Sequence, residues 1–151
     1  MGLYFKPMDV VLALIADAAN RSQEGKLNIL GAFGEIYATA YPATHPEMQL
    51  VLRMEASPGE VGQTKELIIL LLDADGQPVE NFHVKGTFQV QPAKRPGRKS
   101  VMETLIRLVA VTFPKEGDYT FEIMINGESK ANIPLNVGTP PSTSGGKGDG
   151  D

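Results

Sequence analysis

Cysteine and tryptophan are absent from this chain, and histidine occurs only twice. Without Cys there are no disulfides and no thiolate nucleophiles or ligands. A small secreted domain often relies on such bridges, so their absence biases the expected setting toward the cytoplasm, with secretion or surface display as the minority reading. With no Trp and only ten residues that are Tyr or Phe, most of them at positions predicted to face inward, platforms for stacking sugars or single-stranded nucleic acid are scarce. Long apolar runs are missing too, since none approaches the roughly 20 residues that span a bilayer. Nor is there a surplus of positive charge. A net charge of -4 argues against a nucleic-acid coat, which needs excess Lys and Arg to neutralise phosphates.

At 151 residues, 42% of them hydrophobic, the chain fits one domain able to bury about two-thirds of its unfolded surface. From Gly138 onward only Gly, Pro, Ser, Thr, Lys and Asp occur, a composition that cannot offset its ordering entropy by burial. The expected organisation is a single domain over residues 1–137 and a disordered tail over 138–151. Near the other end, Lys6 followed by Val10 to Ala16 and then Ala16-Asp17-Ala18 imitates a signal peptide. Asp9 in the flank and an acid inside the supposed cleavage site speak against it, and a first strand is the preferred reading.

Short apolar runs separated by turn residues point to strands over residues 10–18, 27–39, 48–56, 65–72, 79–90, 100–113, 118–125 and 129–137. Met48, Leu50, Leu52, Met54 and Ala56 alternate with Gln49, Arg53 and Glu55, the period of two that marks a strand with one wet face. Residues 10–20 also show helical spacing, through Val10, Leu14 and Ala18, and are read as a strand because their neighbours are strands. One segment, Leu67-Ile68-Ile69-Leu70-Leu71-Leu72, is apolar on both faces. It is either a central strand whose outer face lies under a long loop, or a homo-oligomer interface carried by Leu67, Ile69 and Leu71.

Gly117-Asp118-Tyr119 has the form of a tyrosine corner, in which a phenol bonds backbone a few residues upstream. In the hairpin that follows, Tyr119, Phe121, Ile123 and Ile125 face Ala131, Ile133, Leu135 and Val137, all at odd positions. A two-residue Asn126-Gly127 turn would pair odd with even positions. The parity therefore predicts a three-residue loop with a left-handed Gly127 in a bulge, Tyr119 opposite Ile133 and Phe121 opposite Ala131.

Candidate chemistry is sparse. Asp73-Ala74-Asp75-Gly76 begins like a calcium loop but misplaces its Gly and lacks the fifth-position ligand, so it reads as a hairpin turn. Gly25-Lys26 lacks the Ser or Thr of a phosphate loop. Gly127-Glu128-Ser129-Lys130-Ala131 spells a nucleophile elbow in a hairpin, where no strand-to-helix turn exists to expose Ser129. His45 and His83 have no second ligand at metal spacing. No catalytic residue, cofactor or metal is expected. The strongest surface feature is the loop Pro92 to Lys99, where Lys94, Arg95, Arg98 and Lys99 crowd four cations among Pro and Gly. Such a loop suits phosphates or an acidic protein surface.

With Leu14 to Ala19, Glu24 to Phe33, Tyr41-Pro42-Ala43, Gly117 to Ile123 and Ile133 to Val137 in view, the chain resembles a family of small uncharacterised bacterial proteins that carries a domain-of-unknown-function label. The resemblance implies a sandwich-like fold and a prokaryotic source and transfers no functional residue. True immunoglobulin domains differ, because Phe121 stands at the second Cys position and the core Trp is missing. The expectation is an all-β, immunoglobulin-like sandwich of seven to nine mainly antiparallel strands. It is expected to be a non-enzymatic binding or assembly module for a protein partner or a second copy. The alternative is a small-ligand-binding or hydrolytic protein with a pocket between sheets or loops.

Overall fold

A computed structural model describes residues 7–142. Among these residues nine strands form two sheets, ordered β2-β1-β4-β7 and β3-β9-β8-β5-β6. They are β1 (Asp9–Arg21), β2 (Leu27–Ala32), β3 (Glu35–Tyr37), β4 (Ala43–Ala56), β5 (Thr64–Leu72), β6 (Val84–Gln89), β7 (Ser100–Phe113), β8 (Gly117–Ile125) and β9 (Glu128–Gly138). The all-β sandwich expected from alternation is what forms. All pairings are antiparallel except β3 with β9. The signal-like segment lies within β1, paired on both sides, while Met1 to Lys6 and residues 143–151 of the expected tail fall outside the described residues.

The even face of β4 (Met48, Leu50, Leu52, Met54) packs in one core with Ile69, Leu71, Phe121 and Ile123 of the facing sheet. This placement corrects the interface expectation for β5. Leu67, Ile69 and Leu71 are core residues at 7%, 0% and 1% exposure, and they point at the other sheet. The outward residues are Ile68, Leu70 and Leu72, half-buried beside Met124, Glu122 and Thr120 of β8. A strand flanked by β8 and β6 gains from apolar residues on both faces.

The corner forms as its sequence implies. Tyr119 is buried, its hydroxyl donates to the Lys115 carbonyl at 2.5 Å, and its ring meets Phe113 edge-on at 5.0 Å. The hairpin beyond it needs correction. Asn126 and Gly127, with φ of 49° and 79°, make the tight two-residue turn that favours two left-handed residues. The bulge sits on the returning strand instead, where Ile123 pairs with Ala131 and Met124 with Ser129, leaving Lys130 as the extra residue. One apolar face is kept, but Tyr119 opposes Leu135 and Phe121 opposes Ile133, two positions from the expected partners.

The β1–β2 hairpin bends away from the β4–β7 part of its sheet. β1 pairs with β4 as far as Ala16 and with β2 from Ala16 onward. Leu12 lies level with Arg53 and, across β4, with Glu103; Arg21 is about 30 Å further along an extended strand. Yet the Arg21 guanidinium donates to the Glu103 carbonyl. The hairpin must therefore fold back over the outer face of the β4–β7 pair. Val51 and Ala16 agree with this, being fully buried but separate from the main core. The arm turns beside Gly31, whose φ is 70° and where a Cβ would come within 2.5 Å of an Asp17 carboxylate oxygen.

Candidate functional site: a cationic groove

The loop from Gln91 to Lys99 crosses from β6 in one sheet to β7 in the other. Pro92 and Pro96 keep it out of either ladder, because proline cannot donate a ladder hydrogen bond. A turn closes at Gly97, with φ of 76° and Arg98 N–H donating to the Arg95 carbonyl at 3.3 Å. Ser100, buried at the loop's exit, donates its hydroxyl to the Gln91 carbonyl and fastens the neck. The tip is thus held at both ends while its cations point into solvent.

Between this loop and the folded-back hairpin lies a groove of about 880 Å³. One wall is Lys94, Arg95, Arg98 and Lys99, the other is Arg21 and Gly25, and Val101, Met102 and Glu103 of β7 form the floor. All four of the loop cations singled out in the sequence come together here. Arg21 was not legible as part of the group, since only the backward bend of its hairpin brings it near. Five cations therefore face one carboxylate, in a chain whose net charge is -4.

That carboxylate is already engaged. Glu103 accepts from Arg53 Nε and Nη2 at 3.1 and 2.9 Å, and Arg21 is tied to the Glu103 backbone. Lys99 stands 3.7 Å from Glu55, a solvent-exposed pairing of small value. Among the described residues, Lys94, Arg95 and Arg98 have no partner for their side-chain charges. The floor adds apolar surface, with Val101 55% exposed.

Directly behind the loop, charge is handled in the opposite way. Just after the turn Pro58–Glu60, Gly62 and Gln63 are stitched to Val90 by backbone bonds, Gly62 N–H to the Val90 carbonyl and Val90 N–H to the Gln63 carbonyl, each 2.9 Å. Glu60 and Lys65 are buried and bonded at 2.9 Å. Glu60 Oε1 also accepts the Met8 amide at 2.9 Å, and Oε2 accepts the Ser57 amide at 2.8 Å. Burial pushes the Glu60 carboxyl up, but the Lys65 ammonium and the Ser57 and Met8 amides outweigh it and hold the group below the usual carboxylate range.

The other candidates lie apart. Asp73 Oδ1 accepts the amides of Asp75 and Gln77 at 2.9 and 3.0 Å, so its carboxylate shapes its own turn, as the turn reading expected. His45 rests against Phe33 with ring centroids 5.7 Å apart. His83 borders a second cleft of about 650 Å³ with Asp73, Glu80 and Arg107, but Arg107 is committed to Glu47 at 2.6 Å. Ser129 lies in β9, within the last hairpin.

A model of a family of unknown function, DUF6941, matches residues 11–138. The chain belongs to this family. Among curated proteins none matches it. Among solved structures it is similar to the Pseudomonas fluorescens alkylpurine DNA glycosylase AlkC bound to DNA containing an abasic site analog. Identity is 9% and the TM-score 0.45, over 87% of this chain and 30% of that one. The chain thus spans under a third of that protein's length, and so distant a likeness bears on neither ligand nor activity. For this DUF6941 member, the groove's own chemistry is what remains to argue from.

Proposed function

We propose that this DUF6941 protein is a non-enzymatic binding module that holds an anionic partner in the groove between the Gln91–Lys99 loop and the β1–β2 hairpin. The observation that carries the reading is the convergence of Arg21, Lys94, Arg95, Arg98 and Lys99 on one groove, with three of the loop cations unpaired among the described residues. A protein of net negative charge gains nothing from such a cluster unless something negative fills it, because like charges held together repel. Leu67, Ile69 and Leu71 are core residues, so self-association through β5 would have to use its outward face, Ile68, Leu70 and Leu72. The hydrolytic alternative is less supported: among the described residues no hydrogen bond joins His83 to an acid. An immunoglobulin-like lineage is supported by the Tyr119 corner, and a cytoplasmic, bacterial setting by the lack of Cys and the family resemblance.

The test uses the protein's own sign. At neutral pH and low salt, a chain of net charge -4 should flow through a sulfonate resin unless the groove binds it. Retention that salt reverses, and that the K94A/R95A/R98A/K99A variant loses, is the expected result. Flow-through of the unmodified protein, or equal retention of the variant, overturns the reading.

A further inference from the structure

The groove is not a uniformly charged surface, and its mixture of chemistries narrows what can fill it. Its floor carries the exposed Val101 side chain, next to Met102, which packs partly against the core, and Pro92 and Ala93 line the same wall as the cations. Among the described residues no aromatic side chain lines it. A single-stranded nucleic acid depends on aromatic side chains to stack its bases, and a duplex needs an extended basic face, whereas this chain is net negative outside one groove. Neither polymer uses aliphatic surface set between cations. A peptide with carboxylates and aliphatic side chains interleaved uses both.

The cations match carboxylates in arrangement as well as sign. They come as two pairs, Lys94-Arg95 and Arg98-Lys99, on either side of the Pro96-Gly97 turn, so that each side of the turn offers one planar guanidinium and one ammonium. Guanidinium bonds carboxylate oxygens in a fork of two parallel donors. β7 is also the last strand of its sheet, and its first residues are the groove floor; Arg21 holds the Glu103 carbonyl, so an extended segment can lie along the residues that precede Glu103.

Resting on the anion-groove reading above, we infer that the occupant is an acidic peptide segment of another protein, with aliphatic residues between its carboxylates, bound in extended form along the start of β7. Its carboxylates pair with Arg95 and Arg98, and its aliphatic side chains cover Val101.

The experiment is fluorescence anisotropy on the full chain with three labelled probes: a short peptide alternating glutamate with leucine, inorganic polyphosphate and a single-stranded oligonucleotide. Saturable binding of the peptide is expected, tighter than that of either phosphate polymer and weakened by salt. Arg95→Ala and Arg98→Ala should each weaken it about tenfold, the loss of one charge-assisted contact. Val101→Ser should weaken the peptide and leave polyphosphate unchanged. Circular dichroism of each variant, all at exposed positions, checks that the fold is kept. If polyphosphate or the oligonucleotide binds as tightly as the peptide, or Val101→Ser has no effect, the peptide inference falls and the anion groove stands. If no probe binds, or the K94A/R95A/R98A/K99A variant binds all three unchanged, both fall together.

Discussion

Two charged regions lie back to back at one end of this sandwich, and they treat charge in opposite ways. Glu60 and Lys65 are buried, and the carboxylate has four protein bonds across both its oxygens, to Met8, Lys65 and Ser57. A few residues away, Lys94, Arg95 and Arg98 are exposed, and among the described residues their charges meet nothing. A buried charge must be matched inside the chain because its desolvation penalty is several kcal/mol; an exposed one has no such demand and is free for a ligand. The first region should therefore read out in stability alone, and the second in binding alone.

The largest effect tests the enclosed region. Lys65→Met removes the ammonium and leaves Glu60 buried without its countercharge, which should cost about 3 kcal/mol, measured by urea unfolding. Adding Glu60→Gln should recover part of that loss, since the uncompensated charge goes with it. If the single variant unfolds like the parent, the contrast between the regions is broken. Acid provides a second probe. Glu60 titrates below its ordinary value in the folded chain, so the folded state binds its proton more weakly than the unfolded state does. Its contribution is then complete above the ordinary carboxylate range and is lost as pH falls through the depressed value. Glu60→Gln should flatten that part of the acid-unfolding curve and leave the neutral-to-alkaline part unchanged in slope.

Smaller effects follow at polar groups enclosed elsewhere. Tyr119→Phe deletes the hydroxyl that serves the Lys115 backbone, while keeping the ring against Phe113, and should cost about 1.5 kcal/mol. Gly127→Ala places a Cβ on a residue at φ 79°, a cost of about 1 kcal/mol, with the Asn126 side chain still bonded to the Glu66 amide at 2.8 Å. Thermal unfolding checks both, and a Gly127→Ala cost near zero would mean the turn can relax out of its left-handed form.

What the sequence discloses follows the range of each interaction. Alternation is local, so the core faces of β4 and β8 can be read directly from Met48 to Ala56 and from Tyr119 to Ile125. Parity disclosed that the last hairpin keeps one apolar face and contains an extra residue; it could not say where, because a bulge at Lys130 and one at Gly127 satisfy the same alternation. In Leu67 to Leu72 both faces are apolar, and parity alone does not separate core from exterior. Lys65 and Glu66 set one charge on each face of the strand, so they did not separate the faces either, and the burial of Lys65 depends on its pairing with Glu60. The loop cations were visible as composition. Arg21 was not, because its place depends on a hairpin folding back over a sheet, a tertiary event with only Gly31 to mark it.

The smallest stability effect carries the other half of the comparison. K94A/R95A/R98A/K99A removes four exposed cations, of which, among the described residues, only Lys99 has a salt-bridge partner, at 3.7 Å. Surface pairs of that kind contribute about 0–1 kcal/mol, and four like charges in one loop repel one another, so relief of that repulsion offsets the lost pair. Unfolding free energy should stay within about 0.5 kcal/mol of the parent. Retention on the sulfonate resin should vanish in the same variant. A large loss of stability would show that the loop cations hold the fold, as Lys65 does, and the division between enclosed and available charge would be the wrong description of this end of the molecule.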